Sequence, residues 1–130
     1  MNTYGLLLEG EEIKYIKGTT DYYISNFGRA FTVRPTKRWG MSLRVLRHRD
    51  HPSGYQYLGI YVDTPSGEVE RKWLRVHRCV AEAFIGPVKR NMVVNHKDHN
   101  KANNHVDNLE IITQKNNMIQ YHTYKKQNGK

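Results

Sequence analysis

VNHKDHNKANNHVDNLEIIT, residues 94–113, sets two short apolar runs around a dense polar centre. Ten of the fifteen positions from Asn95 to Leu109 are His, Asn or Asp. A loop needs polar residues to satisfy its backbone, but rarely so many that both donate and accept. Two readings stay open at this point. The segment is either a tightly hydrogen-bonded turn or a site that grips a cation and a polyanion. Residues 92–95 and 109–113 read as short strands, and Gln114 to about Gln127 as a helix with Thr113 as its N-cap. The unit is therefore strand, loop, strand, helix: a ββα hairpin whose long loop is the polar stretch.

Upstream, His77, Val80, Ala81 and Phe84 form one apolar stripe at helical spacing, which predicts a helix over 77–85 stopped by Gly86-Pro87. Residues 55–63 alternate Leu58, Ile60 and Val62 against Tyr55, Tyr57 and Tyr61. Thr64-Pro65-Ser66-Gly67 supplies a turn, and residues 69–76 return with Leu74 and Val76 opposite Arg71, Trp73 and Arg75. One face of this hairpin suits a core. The other mixes aromatics with Arg and suits either solvent or a phosphate backbone. Residues 22–25 and 29–33 predict a further hairpin around Asn26-Phe27-Gly28. Residues 35–40 read as a basic loop, and residues 43–49 as a weak strand. The expected fold class is α+β, with a small N-terminal antiparallel sheet and hairpins followed by a helix and the ββα unit. Residues 1–73 and 74–130 are the two expected functional regions, small enough to share one core.

The chain has 130 residues, with 21 Lys and Arg against 12 Asp and Glu, for a net charge of +9. That balance favours a polyanionic partner, nucleic acid above all, over a merely solvated basic surface. Cys79 is the single cysteine, so no disulfide forms within the chain and Cys-rich zinc patterns are absent. A small packed core residue is its simplest role. No apolar run reaches the roughly 18 residues of a membrane span. The N-terminal MNTYGLLLEGEE has no basic start and is not a signal peptide. A cytoplasmic location without membrane contact is the expectation.

Phosphodiester cleavage needs a divalent cation, a base for water and a rigid frame that holds both. His is suited to the base near neutral pH. Hard cations take oxygen ligands and keep several waters, so one or two protein oxygens suffice, and Asn carbonyls can serve. Asn95 and His96 end the first strand on opposite faces. Asn117 lies early in the last helix, and Asn108 just before the second strand, where it can pin a loop.

His96, Asn108 and Asn117, in this order around the quoted stretch, resemble an HNH endonuclease motif. The preceding HRCVAEAFIGP is similar to the His-Arg-x-Val-Ala-x-Ala-Phe segment of a phage and intron homing subgroup of that family. EEIKYIKGTTDYYISNFGRAFTV resembles the NUMOD4 element, whose Tyr-x-x-Ser-Asn-x-Gly-Arg pattern falls on Tyr22 to Arg29. The resemblance covers residues 11–34 and 74–122. It implies a metal-dependent DNA endonuclease, with His96 as general base and Asn95 and Asn117 as ligands of one Mg²⁺ or Mn²⁺. Asn108 would complete the catalytic motif by holding the loop. Double-stranded DNA is the implied partner and a phage-infected host cytoplasm the implied location. A monomer would nick, and a homodimer would cut both strands. The family's homing members often carry a further C-terminal DNA-binding region, which a chain ending one helix after the motif is expected to lack.

Three departures stand out. His99 occupies a position where the family often has Gly. The last motif residue is Asn117 rather than His. With Asn at both ligand positions the site lacks a carboxylate, and Asp98, the nearest acid, reads mainly as a turn residue. The candidate DNA contacts are Arg29, Arg71, Arg75, Arg78, Lys97, Lys101 and Asn104, with Asn103 beside them. Such contacts position a duplex without reading its sequence. His77 is expected to be packed, His99 and His105 to lie on the loop surface, and His122 on the last helix. The departures also support a different class, a non-catalytic DNA-binding module. A zinc-structured protein built on His77, Cys79, His96, His99 or His105 fits no standard spacing. An EF-hand beginning at Asp98 fails at Ala102, Asn103 and Leu109.

Overall fold

The computed structural model describes residues 6–38 and 40–127. Four strands, β1 (Ile13–Tyr15), β2 (Tyr22–Ser25), β3 (Ala30–Thr36) and β4 (Gly40–Leu46), form an antiparallel sheet in that order. A second sheet joins β5 (Arg49–Asp50), β6 (Gln56–Asp63) and β7 (Val69–Arg75). Helix α1 (Val76–Phe84) follows without a break. Then come β8 (Met92–His96), β9 (Leu109–Thr113) and α2 (Gln114–Gln127). β8 and β9 pair antiparallel with Asn95 opposite Glu110 and His96 opposite Leu109. Among the described residues the architecture is sheet-rich α+β with two α-helices.

Period-2 alternation builds the first sheet. Tyr22 and Ile24 point into the main core with Leu58, Ile60, Val76, Val80 and Leu109. Tyr23 and Phe31 point the other way, to a second cluster closed by Leu6, Leu7 and Leu43. The sheet is thus covered on both faces at β2, which is why every residue of β2 is buried. The main core draws on strands from both sides of residue 73, and the expected boundary between residues 73 and 74 falls inside β7.

Three local expectations need correction. Residues 35 and 36 are strand rather than loop, since Thr36 pairs with Gly40 and Pro35 with Met41. β2 pairs with β3 only as far as Thr32, so β3 is an edge on that side at Pro35 and the missing N–H costs no ladder bond. The weak strand over 43–49 is two strands, β4 and β5, in different sheets. β1 carried too short an apolar signal to be foreseen. The Thr113 cap is present, its Oγ1 accepting from the Asn116 N–H at 3.2 Å.

Candidate active site

β8 ends at the mouth of a cleft of about 490 Å³ between the start of α1, the polar loop and α2. Of the expected site residues, Asn95, His96, Asn117, Arg75, Arg78 and Lys101 line it, together with Tyr55, His77, His99, Tyr121 and Tyr124. The arrangement follows from three junctions. Arg75, His77 and Arg78 lie where β7 turns directly into α1. Asn95 and His96 end β8. Asn117 sits in the first turn of α2, which packs on the β8–β9 hairpin.

His96 is buried, and its Nε2 lies 2.8 Å from Asn104 Oδ1. Its ring is 4.9 Å from that of His77, which stacks on Tyr55 at 5.0 Å. Burial lowers the His96 pKa, with the Asn104 hydrogen bond and Asp98 opposing and Lys101 reinforcing. The imidazole is therefore neutral at pH 7 and ready to accept a proton. His77 is pushed down to about 3 by burial first, then by the charges of His96, Arg75 and Arg78. It is a packed neutral ring, as expected.

Asn95 donates from Nδ2 to Glu110 Oε1 at 2.9 Å and to Gln120 Oε1 at 3.1 Å. Both of its amide protons are taken, and Oδ1 is the atom left to offer. Asn117 presents a second amide to the same cleft. Two neutral oxygen donors fit a hard, largely hydrated divalent ion. Among the described residues no group of three or more His, Cys, Asp and Glu could hold a metal. Cys79, its thiol pushed up to about 12 by burial and then by Glu82, is a packed core residue.

Asn108 does not line the cleft. Its Oδ1 accepts from the Asp98 N–H, and its Nδ2 donates to Asp98 Oδ1 and to Asn103 O. The Asp98 carboxylate also takes bonds from Asn103 Nδ2 and the Asn100 N–H, and these bonds lower its pKa. Both residues knit the loop. His99 adopts φ +60°, the left-handed conformation that glycine would take without strain. Its ring stacks on Tyr124 of α2 at 3.9 Å, a contact glycine would lack.

The expected DNA contacts divide. Arg75 lies over Tyr55 and donates to Tyr57 Oη at 3.3 Å. Lys101 lies over Tyr55 and donates to Ser53 O, and Arg78 pairs with Glu82. Lys97 is exposed outside the cleft. Arg71 stacks on Trp73 at 4.4 Å on the outer face of β6–β7, and Arg49, not foreseen, lies over the same indole. Arg29 and Asn104 are engaged within the protein. The Arg29 guanidinium grips both carboxylate oxygens of buried Glu11 and the Leu6 carbonyl, with the side chain 31% exposed. Asn104 is buried, with its amide shared between His96 and Gln56. Glu110, Gln56 and Tyr55 were missed. Hairpin register brings Glu110 to Asn95, whereas Gln56 and Tyr55 arrive from a different sheet.

Residues 74–119 match the family model described as HNH endonuclease. The likeness to the HNH endonuclease family lies in that segment. A prophage-derived protein of Bacillus subtilis (strain 168), named as an HNH homing endonuclease, is 47% identical over 68 residues, which are 52% of this chain and 37% of that protein. DNA endonuclease I-HmuI of Bacillus phage SP01 is 34% identical over 108 residues, 82% of this chain and 55% of the phage enzyme. The solved structure described as DNA binding and cleavage by the HNH homing endonuclease I-HmuI superposes with a TM-score of 0.68 at 33% identity. It covers 87% of this chain and 59% of that one. The chain thus spans about half the length of the phage relative. The HNH likeness read from His96, Asn108 and Asn117 is borne out at the level of family and fold.

Proposed function

We propose that the chain is a metal-dependent DNA endonuclease that hydrolyses phosphodiester bonds. The observation that carries this reading is a neutral imidazole, His96, in one cleft with the amides of Asn95 and Asn117 and the cations of Arg75, Arg78 and Lys101. His96 takes a proton from water, and the water attacks phosphorus as the 3′ oxygen leaves. Asn95 and Asn117 would hold one Mg²⁺ or Mn²⁺, which when bound supplies charge neutralisation at the phosphate and the leaving oxygen. Arg75, Arg78 and Lys101 hold the scissile strand, with Lys97 at the rim. Asn108 keeps the loop closed over Asp98. The ββα-metal reading of β8, β9 and α2 belongs to this proposal.

The outer face of β6–β7 carries the duplex through Arg49, Arg71 and Trp73. Residues 1–73, NUMOD4-like over 11–34, serve DNA contact and support, and residues 74–130 serve cleavage. Double-stranded DNA is the partner. A monomer nicks, and a homodimer with two clefts cuts both strands. The reaction takes place in the cytoplasm of a phage host cell. Among the described residues, no helix is long and apolar enough to cross a membrane.

The test is cleavage of supercoiled plasmid with Mg²⁺ or Mn²⁺, against EDTA and against His96→Ala. Relaxation or linearisation by the wild type alone supports the assignment, and equal cleavage by the variant removes His96 from its role. One observation favours a second reading, a binding module without catalysis: among the described residues no carboxylate lines the cleft. On that reading the plasmid shifts in a gel but stays intact with every ion.

A further inference from the structure

We propose that Asn104 is the residue that positions His96, holding its ring in the Nε2–H form with a bare Nδ1 turned to the cleft, and that the turn at Asn26-Phe27-Gly28 braces Asn104. The first half rests on the direction of a hydrogen-bond chain. Gln56 Nε2 reaches Asp50 Oδ1 at 3.3 Å. A carboxylate only accepts, so this end of the Gln56 amide is the nitrogen. Its oxygen then faces Asn104 and His48, at 3.0 Å and 3.2 Å. Asn104 must offer Nδ2 to that oxygen and therefore Oδ1 to His96. The bond to Oδ1, 2.8 Å long, requires a proton on Nε2. Among the described residues Nδ1 has no partner, and no buried side-chain nitrogen or oxygen lacks one. Nδ1 is consequently open to the cleft that the ring lines.

The second half rests on packing. Gly28 has φ +84°, and a Cβ there would lie 2.9 Å from both Cβ and the carbonyl oxygen of Asn104. Only glycine lets the turn sit flat against that backbone. The Val106 N–H donates to Asn26 O at 2.8 Å, and Phe27 stacks on His105 at 4.9 Å. Three successive turn residues thus seat residues 104–106. The turn within the NUMOD4-like pattern of Tyr22 to Arg29 thus faces the polar loop. Ser25 Oγ closes the turn by accepting from the Phe27 and Arg29 N–H groups.

The catalytic consequence rests on the reading of His96 as the base; the tautomer does not. Long-range proton–nitrogen correlation of ¹⁵N-labelled protein, free of metal and DNA, reads the tautomer of each imidazole. The His96 signal is assigned by its loss in His96→Gln. Wild type is expected to show Nε2–H with Nδ1 bare, and Nδ1–H would overturn the proposal without any Asn104 variant. Asn104→Leu, which keeps size but accepts nothing, should give mixed tautomers. On a plasmid that the wild type cuts, it should lose about 10- to 100-fold in kcat with little change in KM. Asn104→Asp keeps an acceptor and should recover the tautomer and most of kcat. An unchanged tautomer in Asn104→Leu overturns the proposal. If wild type shows the tautomer yet cuts nothing with any ion, the positioning stands and the nuclease reading fails.

Discussion

Asn95 and Glu110 are register partners across the β8–β9 ladder, and the Glu110 carboxylate takes an amide proton of Asn95 at 2.9 Å. The pair turns the amide so that its oxygen is the free end, and it sets a negative charge on the nitrogen side of the amide. Partners in this position raise a ligand's donor strength, and losing them costs about 10- to 100-fold in metal affinity. Glu110→Ala is therefore expected to raise the Mg²⁺ concentration for half-maximal cleavage by about that factor. Glu110→Gln keeps a hydrogen bond without the charge and should fall between. A Mg²⁺ titration that coincides for all three proteins would detach Glu110 from the cation site.

Arg29 should matter to stability rather than to DNA affinity. Burial opposes ionisation of Glu11, but hydrogen bonds from Arg29, the Leu8 N–H and Ser25 outweigh it and lower its pKa. Arg29→Ala leaves that buried carboxylate without its cation, which costs about 3 kcal/mol. A lower urea midpoint with unchanged DNA affinity in the surviving folded protein is the expected pair of results. Weakened binding at full stability would return Arg29 to the DNA face.

Much of the scaffold was legible in the sequence. The 55–76 hairpin carries strict alternation and a Pro-Gly turn, α1 carries a helical stripe ended by Gly86-Pro87, and α2 carries a capping Thr113. The positions of His96, Asn95 and Asn117 were legible because chain order places them at a strand end and a helix start, while the roles expected of them came from the HNH likeness. The partners of the site residues were not. Glu11 reaches Arg29 through the β1–β2 pairing, and Glu110 reaches Asn95 through register. Asn104 sits among identical side chains, and only its burial separates it from exposed Asn100. Composition marks a polar loop, but long-range packing decides which of its members face inward.

The outer face of β6–β7 is a preformed ladder. Arg49 and Arg71 flank the half-exposed Trp73, and Arg71 also lies over Tyr61. A Cβ at Gly59 would come within 2.9 Å of both the Arg71 guanidinium and the Trp73 ring, so a larger residue there must displace those side chains. If Arg71 neutralises a phosphate, Arg71→Ala weakens duplex binding evenly across sequences and reduces the salt slope by about 1. Gly59→Val should disturb both stacks and mimic it. Fluorescence anisotropy across a salt series checks this, and an unchanged slope in both variants would clear the face of DNA.

The packed His77 makes stability depend on acid. Its folded pKa of about 3 lies below the ordinary value of 6.5. Between these limits the unfolded chain binds a proton that the native chain refuses. The stability is fully present above about pH 6.5 and is lost as pH falls, by about 1.4 kcal/mol per unit for one such group. His48 and His96, both lowered by burial, act in the same direction. Glu11, also lowered, adds its own loss only at pH values below the ordinary carboxylate range. His77→Phe retains a ring against Tyr55 but has nothing to protonate. Its unfolding free energy should fall by about 2 kcal/mol less than that of wild type between pH 6.5 and pH 5. Urea melts at the two pH values measure this, and equal losses would mean that water and protons reach His77 in the folded protein.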